Sequence, residues 1–296
     1  MKRLIIKDLQ DWKQKTDRKP LILKGVRQTG KTYILIELAK YLANTKKIDP
    51  RSILVFSFNR RWAKIIREKT TVDINRSILE IPINTFYSFC IDFLEKANAG
   101  NYSGEIKVLN STEQWRMLRE VIEDLDRKNY PYTFKYMHSS SFIASSYMQE
   151  IFDFILRAQE NMLYPLDLSS KFTPFFNPVL SELVGIYARY SEELRKNRAY
   201  NYGRLLDETA RILEDEENTR NFYKQKYRYI LVDELHEINK AQLEILKYLS
   251  SDNCIFFGND DESIYAFRGS MVDNFQGIYD GLQPENVLFL NKNYER

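Results

Sequence analysis

Two stretches of the chain carry the residue types that phosphate chemistry requires. The first is Gly25–Thr32, GVRQTGKT, which follows an apolar run (Pro20, Leu21, Ile22, Leu23) and opens a helix-like pattern. A strand feeding a glycine-rich turn into a helix start aims backbone N–H groups at one point, where a polyphosphate can sit. In such a loop Lys31 is expected to reach the β- and γ-phosphates and the Thr32 hydroxyl to reach Mg²⁺. Gln28 and Thr29 belong to the phosphate cradle, and Gly25 and Gly30 admit a close backbone approach that a Cβ would block. The second stretch is Asp233-Glu234, two carboxylates directly after the apolar run Tyr229–Val232. In a chain that already has a phosphate loop, Asp233 is expected to hold Mg²⁺, directly or through water, and Glu234 to act as general base or to position a water. Together they predict a site for Mg²⁺ and a nucleoside triphosphate, with Lys31, Asp233 and Glu234 as the chemical residues.

The elements that must position these residues follow from periodicity. Tyr33–Asn44 places Ile34, Leu35, Leu38, Tyr41 and Leu42 at helical spacing, so one face packs on a sheet. Ile53–Phe58 is apolar without strict alternation, which suits a strand buried on both faces of a parallel sheet. A third strand is expected over Ile78–Ile81, ending at Pro82. From Gly104 to Ala199 the texture becomes helical: Ser111–Lys128 with a capping box from Ser111 to Gln114, then Tyr147–Met162 and Pro178–Arg195. Loops holding Tyr130–Tyr136 and Tyr164–Phe176 are expected between them. Strand–helix alternation then resumes with Gly203–Asp215 helical, Tyr229–Val232 a strand, Lys240–Leu249 helical, and strands at Cys254–Phe257 and Val287–Leu290. The fold class is therefore α/β, one parallel sheet interrupted by an α-helical insertion. The expected division is 1–103 and 201–296 for the sheet domain and 104–200 for the insertion.

Composition sets the limits. With 44% hydrophobic residues in 296, the chain can fill a large core, and a net charge of +3 leaves nucleic-acid binding to a local patch rather than to overall charge. Cys90 and Cys254, far apart in apolar runs, read as buried thiols of a reducing compartment. The N-terminus lacks the apolar core of a signal peptide and no run approaches a membrane span, so a cytoplasmic protein is expected.

The run Gly258–Ser270, GNDDESIYAFRGS, carries a resemblance. It is similar to the third motif of UvrD/Rep-like superfamily 1 helicases, approximately GDxDQSIYxFRGA. DELH at Asp233–His236 resembles their DExQ box, EINKAQLEIL their DxNxAQxxLL, TFYSFC at Thr85–Cys90 their TFHSFC, and LNKNYER at Leu290–Arg296 their LxxNYRS. FNRRWAKIIRE and YARYSEELRKNRAYNYGRLL are similar to further family segments, so the likeness covers most of residues 50–296 in the family's order. It implies a RecA-like P-loop NTPase domain with a helical insertion, using ATP and Mg²⁺ to move along single-stranded DNA or at single/double-strand junctions. Thr85 would contact the DNA backbone. Tyr265, Phe267 and Arg268 would couple nucleotide to DNA, with Phe267 stacking on a base. Asn59 and Arg60 would lie on the phosphate path, and Gln10 falls where the family reads adenine.

Several positions depart from the pattern. The usual glutamine beside the γ-phosphate is Glu262, the arginine expected after Asn293 and Tyr294 is Glu295, and His236 replaces a glutamine. The phosphate loop and its flanks, DLQDWKQKTDRKPLILKG, resemble AAA-type ATPases with a GxRQxGKT loop over about the first 44 residues. The chain reaches Arg296 without the second RecA-like domain, which would have to come in cis or in trans with its arginine finger. A non-catalytic nucleotide-dependent DNA-binding remnant and an AAA-type ATPase unrelated to DNA are the rival readings.

Overall fold

The computed structural model describes residues 21–24, 30–71, 81–98, 106–171, 177–250, 253–258 and 287–290. The apolar runs become strands β1 (Leu21–Lys24), β2 (Ile53–Phe56) and β3 (Ile83–Asn84), then β4 (Lys107–Val108), β5 (Ala199–Tyr200), β6 (Tyr229–Val232), β7 (Cys254–Gly258) and β8 (Val287–Phe289). Six of them form one sheet in the order β3-β2-β6-β7-β1-β8, and every pairing in it is parallel. The order places β7 between the strand that precedes the phosphate loop and the strand that carries the carboxylates.

Both faces of the sheet are covered, as continuous apolar strands require. Alternate residues Leu21, Leu23, Val55, Leu231 and Phe257 join a core with Leu35, Leu38 and Ile66 from the helices Lys31–Lys40 and Arg60–Thr71. Residues of the opposite register point to the other face. There Phe56 stacks on Phe86, with ring centroids 4.3 Å apart, and meets Phe89 edge-on at 5.3 Å.

By internal packing the chain separates into two compact units, Met1–Phe89 with Ala210–Arg296, and Cys90–Thr209. The second unit is helical: Ser111–Glu123, Pro131–Met137, Ser141–Glu160, Pro165–Lys171 and Pro178–Lys196 surround a core that includes Leu118, Ile151, Tyr190 and Leu194. The parallel pair β4–β5 closes this unit, since Lys107 pairs with Ala199 and Val108 with Tyr200.

Several local expectations need correction. The strand expected to end at Pro82 instead begins after it: Ile81 and Pro82 lie outside β3, and 78–80 lie outside the described residues. Proline has no N–H for a ladder, but its carbonyl accepts from Val55 at 2.9 Å, so pairing starts from that carbonyl and runs onward. The capping box sits one residue earlier than Ser111. Asn110 accepts the Glu113 N–H and the Glu113 carboxylate takes the Asn110 N–H, leaving the buried Gln114 to donate to the Leu109 carbonyl. Two segments expected as loops contain helices, Pro131–Met137 and Pro165–Lys171, each begun by proline, whose fixed φ and missing N–H suit a first turn. A further helix, Glu217–Lys226, lies between the helix Tyr202–Asp215 and β6.

Candidate functional site

The C-terminal edge of the sheet gathers the chemical residues that fall in the described part. On β1's side the chain is described again at Gly30, whose φ of 80° and ψ of 24° are left-handed, a conformation that strains residues with a Cβ. Lys31 begins the next helix and is buried, while Thr32 is half-buried one position on. Gly25, Gln28 and Thr29 lie outside the described residues, as do Gln10, Glu262, Tyr265, Phe267, Arg268, Glu295 and Arg296.

On the β6 side the ladder runs one step past the strand, because the Asp233 N–H donates to the Phe56 carbonyl at 2.9 Å. That bond fixes Asp233 at the edge with only 3% of its surface exposed. Its Oδ1 is buried and accepts no hydrogen bond from the described residues. Burial pushes the Asp233 carboxyl up to about 7, and the neighbouring Glu234 charge adds to the rise. The Lys31 ammonium and the Glu234 backbone N–H pull the other way. Asp233 and Lys31 are thus within electrostatic reach of one another although β7 separates their strands.

Glu234 turns the chain sharply. Its φ and ψ are both 52°, the left-handed region that a glutamate occupies at an expense of about 1–3 kcal/mol. The turn Leu235–Glu237 follows, closed by the Glu237 N–H on the Glu234 carbonyl at 2.9 Å. His236 lies buried in it, with Nε2 at 3.5 Å from Glu234 Oε2 and 3.6 Å from Glu237 Oε1. Gly258 lets this turn seat on the end of β7: a Cβ there would meet Leu235 Cβ at 3.2 Å, Leu235 N at 3.3 Å and His236 Nδ1 at 3.4 Å. Beyond the turn, Asn239 and Gln242 form a reciprocal capping box that starts the helix Lys240–Leu249. The stretch EINKAQ therefore has a structural use, holding the carboxylate turn between a strand end and a capped helix.

The remaining edge residues emerge beside β2 and β3. The Ser57 N–H donates to the Asn84 carbonyl at 2.9 Å, so the two chain segments leave the sheet side by side. Asn59 caps the helix Arg60–Thr71 by accepting the Trp62 N–H at 3.0 Å, and Arg60 is exposed at the first turn. Thr85 is 5% exposed and caps the next helix, Phe86–Asn98: its Oγ1 accepts the Ser88 N–H at 3.2 Å, and Ser88 Oγ accepts the Thr85 N–H at 2.9 Å. Thr85 is thus locked by its partner Ser88, which sequence reasoning passed over although a Thr-x-x-Ser helix start is a readable signal. Arg67, also passed over, donates from Nη2 to the Ile83 carbonyl at 2.7 Å and ties the first of these helices to β3. No local pattern announces that contact, since its partners are 16 residues apart.

The donor set fits Mg²⁺ shared with a phosphate. A buried carboxylate oxygen without a donor among the described residues, a half-buried threonine and a buried lysine are the groups that one hard cation and its anion require, and Mg²⁺ at phosphates needs only one or two carboxylates. Among the described residues no group of three or more His, Cys, Asp or Glu converges as an all-protein metal cage. No described helix is long and apolar enough to cross a membrane.

The chain is 25% identical over 285 residues to the ATP-dependent DNA helicase PcrA of Staphylococcus aureus (strain Mu50) and equally to that of Staphylococcus epidermidis (strain ATCC 35984). In each case the match covers 95% of this chain and 36% of the relative. A family model, the UvrD/REP helicase N-terminal domain, matches residues 10–283. By that match, and with the parallel sheet that a RecA-like domain requires, the chain belongs to the UvrD/REP helicase family through its N-terminal domain.

Proposed function

We propose that the chain binds Mg·ATP at the sheet edge between Lys31 and Asp233 and hydrolyses it to drive movement along single-stranded DNA or at single/double-strand junctions. The observation that carries this reading is the buried Asp233 oxygen without a hydrogen-bond donor among the described residues, on a carboxylate within electrostatic reach of Lys31. Lys31 neutralises phosphate charge, Thr32 and Asp233 hold the metal, and Glu234 accepts the proton of an attacking water. Mg²⁺, when bound, supplies the charge neutralisation that brings Asp233 back to its ionised form. The strained backbone of Glu234 aims its carboxylate, and the nearby His236 restricts it.

DNA contacts are assigned to Asn59, Arg60 and Thr85 at the same edge, and by family likeness to Tyr265, Phe267 and Arg268. Gly25, Gln28, Thr29, Gln10 and Glu262 are assigned to the nucleotide on the same ground. Residues 1–103 and 201–296 make the ATP-binding part, with 104–200 as the helical insertion, in a cytoplasmic protein. A further RecA-like domain, in cis or in trans, supplies the opposite wall of the cleft. Its arginine finger is worth about 10³–10⁵ in rate. Glu262 and Glu295 favour a second reading, a nucleotide-dependent DNA-binding domain without turnover.

One experiment tests both: ATP binding and hydrolysis by the purified chain, with and without an oligo-dT. Turnover stimulated by DNA supports the motor. ATP binding that alters DNA affinity without turnover supports the second reading, and absence of ATP binding overturns both.

A further inference from the structure

We propose that Trp62 is a stacking platform for a base of single-stranded nucleic acid, with Arg61 joining Arg60 on the adjacent phosphates; this rests on the DNA-binding reading above and adds Trp62 and Arg61 to the Asn59 and Arg60 already placed on the phosphate path. The helix Arg60–Thr71 sends Ala63 and Ile66 into the sheet core, and Trp62 falls beside that buried line rather than within it. Its indole is 40% exposed. Among the described residues it has no ring neighbour and no cation over its face. An aromatic side chain of that size gains little from standing in water, whereas every base offers a π-face to cover it.

The charges around it select the occupant. The helix carries Arg60, Arg61, Lys64, Arg67 and Lys69 against one carboxylate, Glu68. Arg67 is spent on the Ile83 carbonyl and Lys64 lies 3.7 Å from Glu68. Arg60 and Arg61, immediately before the indole, are exposed and have no ion-pair partner among the described residues. Two guanidinium groups without an ion-pair partner among the described residues, next to an exposed indole, match alternating phosphates and bases, and match an apolar protein surface poorly. The position agrees, because Asn59 fixes this first turn at the edge where Thr85 also emerges.

The test is equilibrium binding of fluorescein-labelled oligo-dT to the intact chain, read by anisotropy together with intrinsic fluorescence from its three tryptophans. Trp62→Ala should weaken binding about 5- to 100-fold, as loss of one stacked base does, and Trp62→Phe should hold affinity within about threefold. Fluorescence quenching on binding should be strong in the intact chain and largely absent in Trp62→Phe. Arg61→Ala should lower the salt slope of log affinity by about 0.7, the value for one phosphate on a single strand. If the intact chain binds oligo-dT but Trp62→Phe keeps the full quench, Trp62 does not touch DNA and the stacking role is overturned while the DNA-binding reading stands. The quench comparison decides this even if Trp62→Ala fails to fold. If the intact chain binds no oligo-dT, the DNA-binding reading itself fails and the stacking role with it.

Discussion

Both compact units bury carboxylates, and Glu182 and Asp233 are treated in opposite ways. In the helical unit Glu182, 6% exposed, accepts from the Tyr132 N–H at 3.0 Å and from both the N–H and the hydroxyl of Thr133 at 2.7 Å. These donors lie 49 and 50 residues away in the chain, so the group fastens the helix Pro131–Met137 to the helix Pro178–Lys196. In the sheet unit Asp233, more deeply buried, leaves Oδ1 without a donor among the described residues and is driven toward its neutral form. A satisfied buried charge is a structural fastening, whereas an unsatisfied one beside a buried lysine is a place prepared for something else.

The widest separation between the two should appear in turnover. Glu234→Gln, one residue from Asp233, should lower any ATP hydrolysis about 10²- to 10⁴-fold with ATP affinity held within a few fold, as removal of a general base does. Parallel steady-state kinetics and equilibrium nucleotide binding check this, and a fall in affinity equal to the fall in rate would show a binding role instead.

Asp233 should next reveal itself in the pH dependence of stability. Its carboxyl sits at about 7 in the folded chain against 3.8 as the ordinary value, so the fold holds that proton more tightly than the unfolded chain does. Stability from this group is complete below about pH 4 and is lost as pH rises through about 7, by up to about 4 kcal/mol. Asp233→Asn should flatten this fall and raise stability at pH 8, while Mg·ATP binding to the unaltered chain should release protons near pH 7. Urea unfolding of both chains between pH 4 and 8 is the measurement. Equal slopes would mean that Asp233 is ionised in the fold without help from metal.

Glu182→Ala should do the reverse of Asp233→Asn. Removing the acceptor leaves buried donors in the helical unit unpaired, a loss of about 3 kcal/mol in urea unfolding, with nucleotide affinity unchanged. A change in nucleotide affinity would remove the contrast between the two carboxylates. The smallest effect is expected at Gly258→Ala, where the added methyl must displace the Leu235–His236 turn by a few tenths of an ångström. That overpacking should lower stability by about 1 kcal/mol, read in the same unfolding assay, and an unchanged midpoint would show that the turn yields freely.

Much of this arrangement is legible in the sequence because it is local. Continuous apolar runs at Leu21, Ile53, Tyr229 and Cys254 announce buried parallel strands, and a glycine before Lys-Thr announces the helix that starts at Lys31, since each signal needs only neighbouring residues. The capping residues Asn59 and Asn239 are equally local, each reaching only three positions ahead. Strand order is another matter. That β7 lies between β1 and β6, that Asp233 therefore feels Lys31 across an intervening strand, and that Gly258 makes room for His236 are decided by contacts between residues far apart in the chain. The same holds for the burial that raises the Asp233 carboxyl and for the difference between Asp233 and Glu182. Asp233 follows a valine and Glu182 a serine, a difference that says nothing about burial or partners, and it is the donors brought in by the fold that separate Asp233 from Glu182.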